Sequence, residues 1–178
     1  MVALNIIFAI IALFILFWQV SLIIAVIFGA PVVYSKETVI IKAFKSVGLK
    51  SGQLVADLGC GNARSLIIAT KKFGAKGIGI EVSPFYYVLA KLNISFSGES
   101  KNIKIKFGDF RTHKKDFENT DVVFLYLFDK IIAKIEPWIF KSVKPHAKII
   151  SLTFPFKNHR AIVIKTKSTI YIYPVRES

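Results

Sequence analysis

LVADLGCGNARSLIIATKKFGAKGIGIE, residues 54–81, carries the pattern that decides the fold. An apolar run from Leu54 to Leu58 holds an acid, Asp57, near its end and runs into a Gly59-x-Gly61 turn. A helical pattern follows from Ala63 to Phe73, then a second apolar run from Gly77 to Ile80, closed by a second acid, Glu81. Apolar strand, glycine turn, helix and apolar strand make a β-α-β unit of a parallel sheet covered on both faces. In such a sheet a ligand binds beyond the carboxyl ends of the strands, where the strand order reverses. Asp57, Gly59 and Gly61 fall at that end of the first strand. The glycines let the backbone approach a ligand, and the following helix offers its free N–H groups. Glu81, 22 residues after Gly59, stands where an acid can accept hydrogen bonds from two ribose hydroxyls.

The turn also discriminates between ligands. A dinucleotide fingerprint wants a third glycine at position 64 so that the helix can receive a pyrophosphate, and the chain has Arg64 there. Asp57 is poorly placed beside a pyrophosphate and well placed to hold an ammonium group. A ligand with a ribose at one end and an amino acid at the other fits this, and S-adenosylmethionine is that ligand. Cys60, the lone cysteine, excludes an internal disulfide framework and is read as a small buried residue of the turn.

Working outward, apolar runs recur at Ile103 to Phe107, Val122 to Leu127 and Lys148 to Phe154, with helical patterns at Pro84 to Asn93 and Lys130 to Ser142. Ser83 followed by Pro84 is a helix start. Upstream, Ser35 can cap a helix from Lys36 to Val47 whose Ile40, Ile41, Phe44 and Val47 form one buried stripe. The ending differs. Ala161 to Lys165 and Ser168 to Tyr173 are β-rich and separated by only Thr166 and Lys167, too short for a crossover, so they pair as a hairpin. The expected fold is α/β: a doubly wound, Rossmann-like, mostly parallel sheet with a C-terminal antiparallel hairpin.

Ile6 to Ala30 is a run of 25 residues without a charge, 17 of them Leu, Ile, Val or Phe. As a helix it is about 37 Å long, enough to span a hydrocarbon core of about 30 Å with some tilt. A cleaved signal peptide fits less well, because the segment lacks a basic start, is too long for an h-region and has no small-x-small exit. Pro31 ends the span. The reading divides the chain into a transmembrane anchor, 1–31, and one domain, 32–178. Lys36, Lys42, Lys45 and Lys50 follow the span and no charged side chain precedes it, so the positive-inside rule places the domain on the cytoplasmic side. The net charge of +14 lies wholly in the domain. No element interleaves clustered Lys and Arg with aromatics, so the anionic face of a membrane is the expected partner rather than nucleic acid, with a solvated lysine-rich surface that has no specific partner as the alternative. His113 and His159 have no neighbours in sequence that would make a metal site or a triad; they are read as solvated, and no metal is expected.

VADLGCGNAR followed by GIGIEVSP resembles motifs I and II of the class I S-adenosylmethionine-dependent methyltransferases. YSKETVIIKAFKSVGLKSGQLVADLGCG, FGDF, DVVFLYLFDKIIAKIEPWIFKSVKPHAKIIS and the closing FPF are similar to the small protein-lysine N-methyltransferases. These are the broad-specificity archaeal enzymes and the membrane-anchored mitochondrial ones that act on ATP synthase subunit c and the adenine nucleotide translocase. The resemblance, from Pro31 to Phe156, implies that Asp57, Gly59 and Gly61 line the methionine part of the cofactor. It implies that Glu81 takes the ribose, Val82 packs on the adenine, Asp109 and Phe110 meet the adenine amino group and ring edge, and Ser35 lies near the cofactor carboxylate. The chain departs from the family at Asn62, where Asp is usual, at Ala63, where Gly is usual, and at His146, which replaces a turn glycine.

Leu125 to Asp129 ends the fourth strand and Phe154 to Phe156 the fifth, so both open toward the same crevice. Leu125, Leu127 and Phe154 read as core; Tyr126 and Phe156 are the candidates for the methyl-acceptor channel. An amine acceptor must arrive with a free lone pair, and for lysine deprotonation at pH 7.4 costs about 4 kcal/mol. Desolvation and the nearby sulfonium charge can supply this, so catalysis by proximity and exclusion of water, without a dedicated base, is expected. The resulting reading is a membrane-anchored protein-lysine methyltransferase whose substrate is a membrane or membrane-proximal protein. Methylation of a lipid, either a phospholipid amine or a quinone, and a non-catalytic cofactor-binding module are the alternatives.

Overall fold

The computed structural model describes residues 1–27 and 35–175. Pro31 as the end of the span, the last three residues of the expected span and the 31/32 boundary lie outside the described residues. A long helix, α1 (Val2–Ile27), precedes α2 (Glu37–Ser46). The sheet then builds as β1 (Leu54–Leu58), α3 (Arg64–Phe73), β2 (Lys76–Glu81), α4 (Pro84–Ser97), β3 (Ile103–Phe107), β4 (Val122–Leu125), α5 (Asp129–Ile139), β5 (Lys148–Leu152), β6 (Ile162–Ile164) and β7 (Ile170–Pro174). Two short 3-10 turns, Phe110–Thr112 and Lys114–Phe117, join β3 to β4.

Seven strands form one sheet in the order β3-β2-β1-β4-β5-β7-β6. The first five are parallel, and β7 pairs antiparallel with both β5 and β6. The order reverses between β1 and β4, which puts the switch point beside the glycine turn. The hairpin forms as expected, and its second strand inserts next to β5.

The β2 glycines have a packing reason. A Cβ on Gly79 would lie 2.7 Å from Cys60 Sγ and from Ile105 and 2.9 Å from Leu66, so only glycine lets α3 and the turn close over β2. Alternate strand residues then feed two cores. Val55, Phe124, Ile150 and Ile172 face α2 and α3, while Ala56, Leu58, Val123, Leu125 and Ile149 face α5 and Phe117.

Several ends differ from the sequence pattern. β4 stops at Leu125, where its pairing with Leu58 of β1 and Ser151 of β5 ends. β5 stops at Leu152 because Thr153 turns to φ 69. Ser35 is not the cap of α2: Lys36 occupies that position and offers no side-chain bond. His146 stands at φ 65, in the left-handed region where a turn glycine is at home.

The return from β5 to β6 is fastened by Glu136 of α5. This carboxylate accepts from the backbone N–H of Asn158 at 2.7 Å and of Lys157 at 3.3 Å, from Asn158 Nδ2 at 3.2 Å, and pairs with His159 Nδ1 at 2.9 Å. Burial works to raise its pKa, but the bonds from His159, Asn158 and Lys157 outweigh it and hold the carboxyl below its usual range. His159 also stacks on Phe140 at 3.6 Å between ring centroids, and His113 pairs with Asp116 at 3.0 Å. Neither histidine is merely solvated, because each found its acid only through folding or a tight turn.

Glu136→Ala leaves two backbone donors without their acceptor and is expected to cost about 2 kcal/mol. The melting temperature of the full chain in detergent, followed by circular dichroism, should fall by about 5 to 8 °C. Glu136→Gln, which keeps one acceptor oxygen, should lose less.

Candidate functional site

The site is built on the ends of β1 and β2. Gly59 at φ 78 and Gly61 at φ 54 turn the chain back over the sheet, and the N–H groups of Gly59 and Cys60 donate to the carbonyl of Ile80 at 2.9 and 3.1 Å. A Cβ on Gly59 would come within 3.2 Å of Leu127 Cδ2, so the turn also seats against the segment leaving β4.

Glu81, 4% exposed, braces this turn. Its Oε2 accepts from Gly61 N at 2.7 Å and its Oε1 from Ser83 N at 2.9 Å. Each oxygen retains a second lone pair with which a ribose diol could be met. Burial raises its pKa, and the backbone bonds from Ser83, Gly61 and Val82 offset part of the rise.

Asp57, 5% exposed, sits one strand over, paired in register with Gly79 of β2 and Phe124 of β4. Ser65 Oγ in the first turn of α3 donates to its Oδ2. Its pKa is pushed up to about 7 by burial, partly relieved by the Ser65 bond and increased again by the charge of Glu81. A buried carboxylate with one hydroxyl donor is short of positive charge, and the ammonium of an amino acid supplies that. The donor set therefore fits S-adenosylmethionine at both ends: an acid for the ammonium and an acid for the ribose. Cys60 is buried, and burial together with Asp57 and Glu81 raises its thiol pKa well above the usual value, so it is a packing residue.

The departures from the family pattern are absorbed locally. Asn62 Oδ1 accepts from Arg64 N at 3.3 Å, and Asn93 Nδ2 of α4 donates to the Asn62 carbonyl at 3.1 Å. Ala63, fully buried, holds φ 63, a left-handed conformation that explains why glycine suits the position. Arg64, where a third glycine would stand, points to solvent and pairs loosely with Glu37 at 3.8 Å.

Other expected residues lie around this centre. Val82 is half-buried between Glu81 and α4, and Phe110 is 7% exposed in the core. Asp109 is engaged by its neighbour: both oxygens accept from Arg111 Nε at 2.9 and 2.7 Å, and one accepts the Arg111 backbone N–H at 2.9 Å. Burial acts against this, yet Arg111 holds the Asp109 carboxyl below its usual range. Ser35 is half-buried two residues ahead of α2. Ser83 occupies the N-cap position of α4, but its buried Oγ has no hydrogen-bond partner. The N–H of Phe85 is instead met by Ser21 Oγ of α1 at 3.2 Å.

On the acceptor side, Tyr126 is half-buried against the α2 and α3 face, and Phe128 and Phe154 lie together with ring centroids 5.4 Å apart. Phe154 is aimed by Thr153, whose left-handed backbone closes a tight turn through a 2.8 Å bond from Phe154 N to the Leu152 carbonyl. A β-branched residue in this conformation stores about 1 to 3 kcal/mol of strain. Phe156 lies elsewhere. It is buried in the opposite core, packed on Tyr173 and Phe140 at 5.0 and 5.1 Å, and its N–H donates to the Tyr173 hydroxyl at 2.8 Å. The structure thus places Phe154, read as core, beside Phe128 and on the same core as Phe156, and separates both from Tyr126. Sequence reasoning missed Ser65 and Ser21, which bond Asp57 and the Phe85 N–H. Ser65 alone left a signal, a hydroxyl on the buried stripe of α3. Among the described residues, no three His, Cys, Asp or Glu side chains gather as a metal site.

Residues 57–162 match the family model described as the ANTKMT methyltransferase domain. A protein-lysine N-methyltransferase of Saccharolobus islandicus (strain REY15A) is 27% identical over 154 residues, covering 83% of this chain and 94% of its own. Among solved structures, an RNA methyltransferase from Salinibacter ruber in complex with S-adenosyl-L-homocysteine superposes with a TM-score of 0.78 at 24% identity, over 82% of this chain and 95% of that one. Precorrin-6y C5,15-methyltransferase from Geobacter metallireducens GS-15 superposes at 0.68 with 14% identity, over 81% and 90%. The fold is common to these structures, and their differing acceptors show that it does not choose the acceptor.

Asp57 has a pH signature opposite in sign to that of an ion-paired carboxylate. Its folded-state pKa, pushed up to about 7, lies above the ordinary 3.8, so the native state holds the extra proton between about pH 4 and pH 7. Ligand-free stability should therefore fall as pH rises through that window and level off above it, and Asp57→Asn should remove most of the fall in urea denaturation. At Ala63 the left-handed backbone costs about 1 to 2 kcal/mol, against about 0.8 kcal/mol for its buried methyl. Ala63→Gly should be neutral to slightly stabilising, and Ala63→Val should destabilise.

Proposed function

The chain belongs to the ANTKMT methyltransferase domain family, and on that premise we propose that it is a membrane-tethered, S-adenosylmethionine-dependent protein-lysine N-methyltransferase. The observation that carries the proposal is the pair of buried carboxylates, Asp57 and Glu81, on adjacent strands around one glycine turn. S-adenosylmethionine, when bound, supplies an electrophilic methyl group on a sulfonium. Asp57 and the turn at Gly59 and Gly61 hold its amino acid end and Glu81 its ribose; Val82 and Phe110 give apolar surface to the base, with Asp109 beside them and Ser35 toward the carboxylate. Lysine as acceptor is supported by the relative from Saccharolobus islandicus, named a protein-lysine N-methyltransferase.

Tyr126, half-buried just past the end of β4, is the acceptor-wall residue in this reading. An amine that packs against it leaves water, and loss of water favours its neutral form. Deprotonating lysine at pH 7.4 costs about 4 kcal/mol, and desolvation with alignment of the lone pair is the work this wall performs. His113 and His159 are committed to Asp116 and Glu136 and serve structure.

The tether is α1. Among the described residues it is the one helix long and apolar enough to cross a membrane. Residues 2–20 are exposed throughout, 19 residues, which as a helix measure about 28 Å, close to a hydrocarbon core of about 30 Å. A tether of this kind confines the domain to acceptors near the bilayer, so the substrate is a membrane or membrane-proximal protein. The lysines that follow α1 keep the domain on the cytoplasmic side.

Calorimetry on the full chain in detergent should show binding of S-adenosylmethionine that weakens at least tenfold in Glu81→Ala; no binding by the unaltered chain would sink the cofactor reading. Membranes of the source cell, incubated with methyl-labelled cofactor and the protein, should carry the label in protein as methyllysine. Label that extracts wholly into organic solvent would replace lysine by a lipid acceptor. Tyr126→Ala should slow the labelling while leaving cofactor affinity within about twofold, a ground-state binding change below about 0.5 kcal/mol.

A further inference from the structure

α4 differs from the other helices that cover the sheet. The outer faces of α2, α3 and α5 present Lys42 and Lys45, Lys71 and Lys72, and Lys130 and Lys134 to solvent. α4 presents Val88, Leu92 and Phe96, spaced four residues apart and 48, 49 and 87% exposed. Its inner face, Tyr86, Ala90 and Ile94, is buried on the sheet, so the helix is apolar on both sides. It carries a single charge, Lys91, and no acid. Phe107 at the end of β3, 52% exposed and 5.4 Å from the Tyr87 ring, widens the same patch.

This patch is continuous with α1. Ser21 of α1 is buried and caps the Phe85 N–H, and the Phe85 ring meets Phe14 and Phe17 at 6.0 and 6.3 Å. Phe17 and Phe14 lie about 6 and 10 Å further toward the start of α1 than Ser21. Where α1 leaves the domain, the start of α4 therefore already sits beside residues of the exposed apolar stretch. An interfacial helix buries its apolar face about 5 to 10 Å into the headgroup and acyl boundary, a length comparable with the spacing of Phe17 and Phe14 from Ser21 along α1.

We propose that the outer face of α4, Val88, Leu92 and Phe96, lies in the interface of an anionic bilayer beside α1, giving the domain a second, fixed point of contact with the membrane. The proposal rests on the reading of α1 as the tether. The partner is lipid, since the patch is joined to the membrane-seeking helix and the rest of the domain surface is strongly basic, which suits anionic headgroups. Because α4 begins two residues after Val82 and its N-terminal turn is bonded to Glu81 through Ser83, seating α4 sets the height and tilt of the cofactor cleft above the bilayer. The domain then offers its crevice to acceptors at one distance from the surface.

The test uses the full chain in vesicles of phosphatidylcholine and phosphatidylglycerol, with an environment-sensitive fluorophore on single cysteines and lipid carrying a nitroxide quencher at either a shallow or a central depth. Buried Cys60 leaves the unaltered chain as the unlabelled blank. Probes at Leu92→Cys and Phe96→Cys should shift to the blue and be quenched, as should Ile10→Cys in α1, while Lys71→Cys on α3 should be neither. Quenching at position 10 with positions 92 and 96 behaving like 71 would leave the tether standing and overturn the seating of α4. A blue shift at 92 and 96 without lipid quenching would mean that protein, a second copy included, covers the face, and would overturn it too. No quenching at position 10 would remove the tether, and this inference with it.

Discussion

The carboxylate of Glu81 is the joint on which the site depends. One oxygen holds the N–H of Gly61 in the turn after β1 and the other holds the N–H of Ser83 in the turn before α4. A buried acid is costly unless its oxygens are met by donors, and here both donors are backbone groups of segments that must converge on the ligand. The same side chain thus fixes the glycine turn, the start of α4 and the spare lone pairs available to a ribose. Gly79 belongs to this joint, because a side chain there would drive Cys60 and Leu66 away and open the turn.

Asp57 shows the opposite economy. With Ser65 as its single side-chain donor and Glu81 as a like-charged neighbour, it is ionised reluctantly. Such a group weakens the fold at neutral pH, where the proton it holds in the native state is lost. Thr153 is a second instance. A β-branched residue held in left-handed backbone is strained, and the strain lies where the chain aims Phe154 at Phe128.

Elsewhere the molecule separates its two kinds of surface. Lysines cover α2, α3 and α5, while apolar side chains cover α1 and the outer face of α4. The boundary between them runs past the start of α4, next to the cofactor turn. Geometry therefore links the apolar side of the domain and the glycine turn through one helix terminus, whose Phe85 N–H is met by Ser21 of α1.

The strand and helix pattern, the Gly-x-Gly turn with its two acids and the uncharged first segment were all legible from residue order, because each is local: periodicity, turn chemistry and hydropathy act over a few neighbours. The strand ends were legible only within a few residues, since Thr153 and the lost pairing after Leu125 stop strands that hydrophobicity alone would continue. The partners of Asp57, Glu136 and Phe85 were not legible, because Ser65, His159 and Ser21 reach them across 8, 23 and 64 residues. Nor was the side of the sheet on which an aromatic falls: Tyr126 and Phe156 read alike at two strand ends, and the turn at Thr153 sends Phe156 into the opposite core. Sequence by itself determined which elements form and which ligand chemistry they can present, and tertiary structure decided which side chains meet, because burial and pairing between distant segments are set only when the sheet closes.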